Sequence, residues 1–174
     1  SLYFWWMVSE KTLILSTERL HQKLNRIAHE VHENHFDNKE LIIVGIADRG
    51  YVLATLLTTI LKKISDLDIL LYELKVDKKG MLKEINNQEL EKAQLSGKVV
   101  LIVDDVLNSG KTLAYAVKHI LDYPVKRLCT VVMVNRRHRL YPIRADYVGL
   151  TLATTIKEHI TVDLEKGKEV VYLS

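Results

Sequence analysis

The chain has 174 residues, 48% of them hydrophobic and 27% charged, with 25 Lys and Arg against 22 Asp and Glu for a formal net charge of +3. That length suits one domain with a layered core that needs neither disulfides nor a structural metal, and the mild basic excess permits contact with phosphates without demanding it. The lone Cys129 has no internal partner, no apolar run approaches the roughly 20 residues that cross a bilayer, and no signal-peptide pattern opens the chain, so a soluble cytoplasmic protein without membrane contact is expected.

Residues 1–6 hold both tryptophans and one of the two phenylalanines. They read as a vector-derived leader before Met7, leaving 7–174 as the single domain. Leu20, Leu24, Ile27, Ala28 and Val31 recur at helical spacing behind the capping types Ser16 and Thr17, which predicts a helix over 17–34. A continuous apolar run over 41–46 then predicts a strand, the segment Gly45-Ile-Ala-Asp-Arg-Gly50 a loop, and the recurrence of Val52, Leu53, Leu56, Leu57, Ile60 and Leu61 a second helix. Residues 68–72 read as a strand and the polar stretch 73–91 as a flexible excursion with a turn at Lys79-Gly80. Further strands are expected at 99–103 and 128–134 around a helix over 112–121, and short segments at 145–152 and 170–173 close the chain. Near-continuous apolar strands alternating with helices imply an α/β fold with a mostly parallel central sheet covered on both faces.

The strand at 99–103 runs into Asp104 and Asp105 and then into Val-Leu-Asn-Ser-Gly-Lys-Thr112. In an open parallel sheet, ligands bind beyond the carboxyl ends of the strands. The glycine, the two hydroxyls and the amides of a helix N-terminus suit a phosphate. Two carboxylates beside that cradle would repel a bare anion, so the ligand must also bring hydroxyls or a divalent metal. A nucleotide-hydrolase phosphate loop is refused by spacing: its first glycine would fall at Asp105, and after Gly50 the positions of its Lys and Ser/Thr hold Tyr51 and Val52.

A sugar phosphate with free ribose hydroxyls meets these demands. Residues 100–112 resemble the diphosphoribose signature of the type I phosphoribosyltransferases: an apolar strand, two acids, two apolar residues, then a Ser-Gly-x-Thr loop. The segments 20–31, 43–54, 67–72 and above all 136–149, with His138-Arg-Leu-Tyr-Pro-Ile-Arg-Ala-Asp-Tyr-Val-Gly149, are similar to the bacterial pyrimidine operon attenuator and uracil phosphoribosyltransferase family. The resemblance covers nearly everything after Leu13. It implies the type I phosphoribosyltransferase fold, a central mostly parallel sheet flanked by helices, with a small C-terminal hood and a flexible flap.

It also implies roles. Asp104 and Asp105 bind the ribose hydroxyls of phosphoribosyl diphosphate and, indirectly through substrate or water, Mg2+. Leu107, Asn108, Ser109, Gly110, Lys111 and Thr112 cradle the 5′ phosphate. Asp48, Arg49 and Gly50 receive pyrophosphate, with Arg49 joining the two acids as a catalytic group. Asn135, Tyr147 and Val148 read the base, Tyr147 by stacking. The implied reaction is magnesium-dependent transfer of phosphoribose to a nucleobase, with uracil first, giving the nucleoside monophosphate and pyrophosphate. The alternative is an RNA-binding regulator of pyrimidine genes that keeps the nucleotide site with little turnover, responds to uridine nucleotides and assembles as a homodimer or larger homo-oligomer.

Three positions depart from the family pattern. Asn135 stands where the uracil enzymes have Asp and Arg137 where they have Gly, so base preference stays open. Asn108 replaces a tyrosine and is also not the acid of the purine enzymes. The flap arginine is missing, and Lys75, Lys78 or Lys79 offers charge without a guanidinium fork. Cys129 reads as core. His29, His32, His35 and Glu33 lack the spacing of a metal helix, and Arg136, Arg137 and Arg139 form a basic group open to phosphate, RNA or solvent.

Overall fold

The computed structural model describes residues 11–77, 79, 87–155 and 157–174. The expected leader and residues 78 and 80–86 of the expected 73–91 excursion lie outside those residues. Strand β1 (Thr12–Leu15) precedes helix α1 (Thr17–His35), which Ser16 caps by accepting the Arg19 N–H at 3.3 Å. Next come β2 (Glu40–Ile46), α2 (Arg49–Ile64), β3 (Asp68–Leu74), the short α3 (Gln88–Lys92), β4 (Val99–Leu107), α4 (Lys111–Ile120), β5 (Arg127–Arg136) and β6 (Tyr147–Leu152). The chain ends with β7 (Ile160–Asp163) and β8 (Val170–Leu173).

Five strands form one parallel sheet in the order β3-β2-β4-β5-β6. Alternate residues of each strand face opposite layers. Leu41, Ile43, Leu101 and Val131 pack with Leu20, Leu24, Ile27, Leu53 and Leu57 of α1 and α2. Ile42, Val44, Ile102 and Val132 pack with Leu113, Ala116 and Ile120 of α4 and with Leu90 of α3. The expected sheet covered on both faces is thus present, and both sides of every central strand are apolar for that reason.

Two expectations change. The strand drawn as 99–103 continues through the acidic pair to Leu107, because the ladder persists: Asp104 pairs with Val132, Val106 with Val134 and Leu107 with Asn135. The hood is not C-terminal alone. It is a three-stranded antiparallel sheet, β1-β8-β7, in which Thr12 pairs with Leu173 and Asp163 with Val170. Glu169, buried, ties this sheet to α1 through His21 Nε2 at 3.2 Å and accepts the Gly167 N–H at 3.1 Å.

Helix α2 follows β2 on one face and α4 follows β4 on the other, although β2 and β4 are neighbours. Two helix N-termini therefore open on either side of one sheet crevice, the position at which doubly wound sheets bind ligands.

Candidate functional site

The crevice is built from the β2–α2 turn, the end of β4 and the β4–α4 loop. Ala47 and Asp48 are joined by a cis peptide. Gly50, in the first turn of α2, presses on β4: a Cβ there would lie 2.7 Å from the Val103 carbonyl, 3.0 Å from Asp104 Cα and 3.1 Å from Asp104 Oδ1. Only glycine permits that approach, so the helix start and the acidic strand end are held against each other. Arg49 reaches across with Nε 3.0 Å from Asp105 Oδ2, its side chain 61% exposed while that of Asp105 is 15% exposed.

Each acid spends one oxygen on the backbone. Asp104 Oδ1 accepts the Asp105 N–H at 2.8 Å, and Asp105 Oδ1 accepts the Val106 N–H at 2.9 Å. Burial, then the charge of Asp105, pushes the Asp104 carboxyl well above the ordinary value of 3.8. This pair of carboxylates fits a ligand that brings hydroxyl donors or a cation, since Arg49 is ion-paired with Asp105 and Asp104 has no ion pair among the described residues. Among the described residues no group of three His, Cys, Asp or Glu is placed to hold a metal. Magnesium here would accordingly take most of its ligands from substrate and water, with Asp104 and Asp105 as the protein's contribution.

Residues 107–112 wrap a cavity of about 60 Å3 whose walls also include Asp104, Val106 and Val132. Gly110 has φ +85°, and Ile143 occupies the place its side chain would need. Ser109 organises the loop twice: its hydroxyl accepts the Lys111 N–H at 3.2 Å, and its carbonyl accepts the N–H groups of Leu140 and Tyr141 at 2.9 and 3.1 Å. Beyond Lys111, the amides of Thr112 and Leu113 fall in the first turn of α4, where no intrahelical carbonyl is available and an anion is favoured.

At the end of β5, Asn135 carries a buried Oδ1 with no hydrogen-bond partner among the described residues. Arg136, 7% exposed, turns inward. Its Nε donates to Thr154 Oγ1 at 2.9 Å, NH1 to Asn108 Oδ1 at 3.1 Å, and NH2 to the carbonyls of Thr155 and Glu158 at 3.1 and 2.6 Å. His138 contacts the Thr154 carbonyl through Nε2. The expected trio of arginines is therefore divided: Arg137 and Arg139 are exposed, and Arg139 NH1 donates to the Ile143 carbonyl at 3.1 Å. An arginine buried just past the apolar run 131–134 of this strand was the available signal that Arg136 has a separate task.

Asp48, Arg49, Gly50, Asp104, Asp105, the 107–112 loop and Asn135 thus gather at the carboxyl ends of β2, β4 and β5. Tyr147 and Val148 do not join them, which corrects their expected place beside the base. They open β6 opposite Val131 and Val132, well before the strand end at which Asn135 meets Thr151. Tyr147 is 4% exposed, and its hydroxyl bonds Asn34 Nδ2 at 2.9 Å and His35 Nε2 at 3.2 Å. A ring packed under α1 cannot stack on a ligand above the sheet. The Val148 carbonyl is taken by Arg26 NH2 at 2.8 Å, and the Gly149 carbonyl by the same group at 3.0 Å. Of the α1 histidines, His35 serves this core contact.

The chain belongs to the phosphoribosyl transferase domain family, whose model matches residues 12–166, and phosphoribosyl transfer is its chemistry. Within that class it is similar to the bifunctional protein PyrR of Pelotomaculum thermopropionicum, 35% identical over 177 residues that span 96% of this chain and 97% of that protein. PyrR of Elusimicrobium minutum is 35% identical over 88% of this chain and 90% of its own. Among solved structures, the hypoxanthine-guanine phosphoribosyltransferase of Bacillus anthracis superposes with a TM-score of 0.74 at 20% identity, over 94% of this chain and 96% of that one. The hypoxanthine phosphoribosyltransferase of Trypanosoma cruzi gives 0.76 at 16%, over 92% and 95%. At such identities the likeness speaks for the fold alone.

Proposed function

We propose that the protein transfers phosphoribose from phosphoribosyl diphosphate to a pyrimidine, uracil first, in the cytoplasm and with Mg2+. The observation that carries this reading is the meeting of Arg49 with Asp105 at 3.0 Å beside the cradle of 107–112. One chain segment offers donors to a leaving pyrophosphate, another offers acceptors to ribose hydroxyls, and a third holds the 5′ phosphate. Asp104 and Asp105 orient the ribose ring so that its anomeric carbon faces the base. Arg49 and the amides of the β2–α2 turn collect charge as the carbon–oxygen bond breaks. Magnesium, when bound with the diphosphate, supplies further neutralisation of the leaving group. Asn108 cannot titrate, so no side-chain acid or base is assigned at its position. Asn135 Oδ1, buried and unpartnered, is an acceptor suited to an N–H on the edge of the base.

The test is incubation of uracil, hypoxanthine, guanine and orotate with phosphoribosyl diphosphate and magnesium. Formation of the uridine nucleotide is expected, and turnover of none of the four would overturn the reading. Asn135→Asp should change the ratio of rates among bases rather than scale all of them; an unchanged ratio would place base selection elsewhere.

A second reading stands beside the first. Arg139 and Arg144 flank an open groove with Tyr141 and Pro142, and the relatives carry the word bifunctional in their names. This exposed basic segment supports RNA binding by a homodimer or larger assembly, with uridine nucleotides at the transfer site as effectors.

A further inference from the structure

Arg49 and Asp105 serve two parts of one ligand, the leaving pyrophosphate and the ribose hydroxyls, yet they are paired with each other. Arg49 Nε lies 3.0 Å from Asp105 Oδ2. The other oxygen, Oδ1, accepts the Val106 N–H at 2.9 Å, so both oxygens of Asp105 have protein partners. A second lone pair on Oδ2 stays open, but its charge is already balanced by a guanidinium. A ribose hydroxyl that joins it gains less than it would from a bare carboxylate. The two partners differ in how they are held. The Asp105 side chain, 15% exposed, is tied to its strand, whereas that of Arg49, 61% exposed, stands largely in solvent. A pair with so exposed a member is weak. A diphosphate, with several anionic oxygens for the same fork, draws the guanidinium away. A neutral hydroxyl offers the guanidinium no charge and leaves the pair in place.

We infer that Arg49 is a specificity-determining residue that masks Asp105 from any ligand without a diphosphate at C1. Once a diphosphate takes Arg49, Asp105 is a covered carboxylate without its counter-ion. That state is costly unless a ribose hydroxyl or a metal-bound water replaces the guanidinium. Diphosphate and ribose binding are therefore linked through one ion pair. When pyrophosphate departs after transfer, Arg49 returns to Asp105 and loosens the hold on the ribose of the nucleotide product. The inference rests on the assignment of Arg49 to pyrophosphate and of Asp105 to the ribose, and it adds an exchange between them.

Calorimetry without added metal tests the exchange. The probe is 1-deoxyribose 5-phosphate, which carries the 5′ phosphate and the ribose hydroxyls and nothing at C1. Arg49→Gln should bind it about fivefold more tightly than the wild type, the release expected of a partly exposed pair. Loss of a positive charge alone would weaken the hold on a phosphate, so a gain can come only from the unmasked acid. Arg49→Lys keeps the charge and can re-form the pair, so it should stay within about twofold of the wild type. Phosphoribosyl diphosphate, titrated with magnesium, should bind Arg49→Gln about tenfold more weakly. In the wild type, saturating pyrophosphate should tighten the binding of 1-deoxyribose 5-phosphate about threefold, although two neighbouring anions repel. The exchange is overturned if Arg49→Gln binds the probe no tighter than the wild type, or if Arg49→Lys gains as much as Arg49→Gln. It is overturned equally if pyrophosphate leaves the affinity of the wild type for the probe unchanged or lowers it. Should Arg49→Gln fail to fold, the wild-type measurement decides alone. If the wild type binds neither the probe nor phosphoribosyl diphosphate, the assignment of the crevice itself is wrong. If it binds both and Arg49→Gln weakens both alike, the crevice stands and the exchange is refuted.

Discussion

Asp104 is held in the crevice at a cost, because burial and the adjacent Asp105 both disfavour its charge. An acid whose folded-state value is raised takes up a proton more readily folded than unfolded. Free protein is therefore most stable below the ordinary value of 3.8 as far as this group is concerned, and it loses stability as pH rises from there through the raised value. Asp104→Asn should melt higher than the wild type at neutral pH without ligand, by about 2–4 °C for each kcal/mol relieved. The same change, like Asp105→Asn, should weaken phosphoribosyl diphosphate binding by about 1.5–3 kcal/mol, the value of a charged hydrogen bond. A melting curve and a titration check the two signs, and a variant that neither melts higher nor binds more weakly would refute the account of Asp104. Gly50→Ala should be more damaging than its size suggests, since the added carbon meets the Val103 carbonyl and Asp104. Loss of turnover is expected with the sheet preserved by circular dichroism. The acids were legible because they break an apolar run, and Gly50 through the resemblance of the 48–50 turn to the family's pyrophosphate loop. Tyr147 was not read correctly: an aromatic at a strand start gives no sign of which layer it faces, and here the layer is α1.

His35 closes α1 and joins it to β6 through the Tyr147 hydroxyl. Burial, then the positive charge of Arg127, holds its imidazole below the ordinary 6.5. The stability it provides is complete above 6.5 and is lost as pH falls through the depressed value, because the unfolded chain accepts the proton first. Melting temperature should drop as pH falls below the ordinary 6.5, and His35→Gln should flatten that limb. A slope unchanged by the substitution would assign the acid sensitivity to another group. Long elements were readable at this scale. The helix expected over 17–34 is α1, Thr17–His35, because five apolar residues repeat along one face above a capped start. The four-residue strands β1 and β7 and the five-residue α3 were missed, since so few residues carry no period and their pairing comes from distant parts of the chain. The strand containing the acids was cut short for the opposite reason: hydropathy stops at Val103, whereas the backbone ladder does not.

The whole molecule presents one crevice at the strand ends and a basic segment beside it. A single protomer of charge +3 engages few phosphates, and affinity for RNA grows with the number engaged. If the second reading holds, the RNA-binding form should be a dimer or larger by light scattering. Its affinity for a pyrimidine leader hairpin should fall steeply with salt and respond to uridine nucleotides. Individual replacement of Arg136, Arg137 or Arg139 should leave specific binding in place, since each removes at most one phosphate contact of several, whereas Arg139 and Arg144 replaced together should weaken it; a hairpin bound no better than scrambled RNA would leave the enzyme alone standing. The hood has a consequence of another kind. Its strands β1 and β8 pair Thr12 with Leu173, so a ribosome delivers the two partners far apart in synthesis. The five parallel strands are all available once Leu152 has left the exit tunnel, while β1 waits unpaired until β8 follows. Premature termination after β6 would release a chain with its sheet and its acids in place and its hood strand bare, an edge open to aggregation.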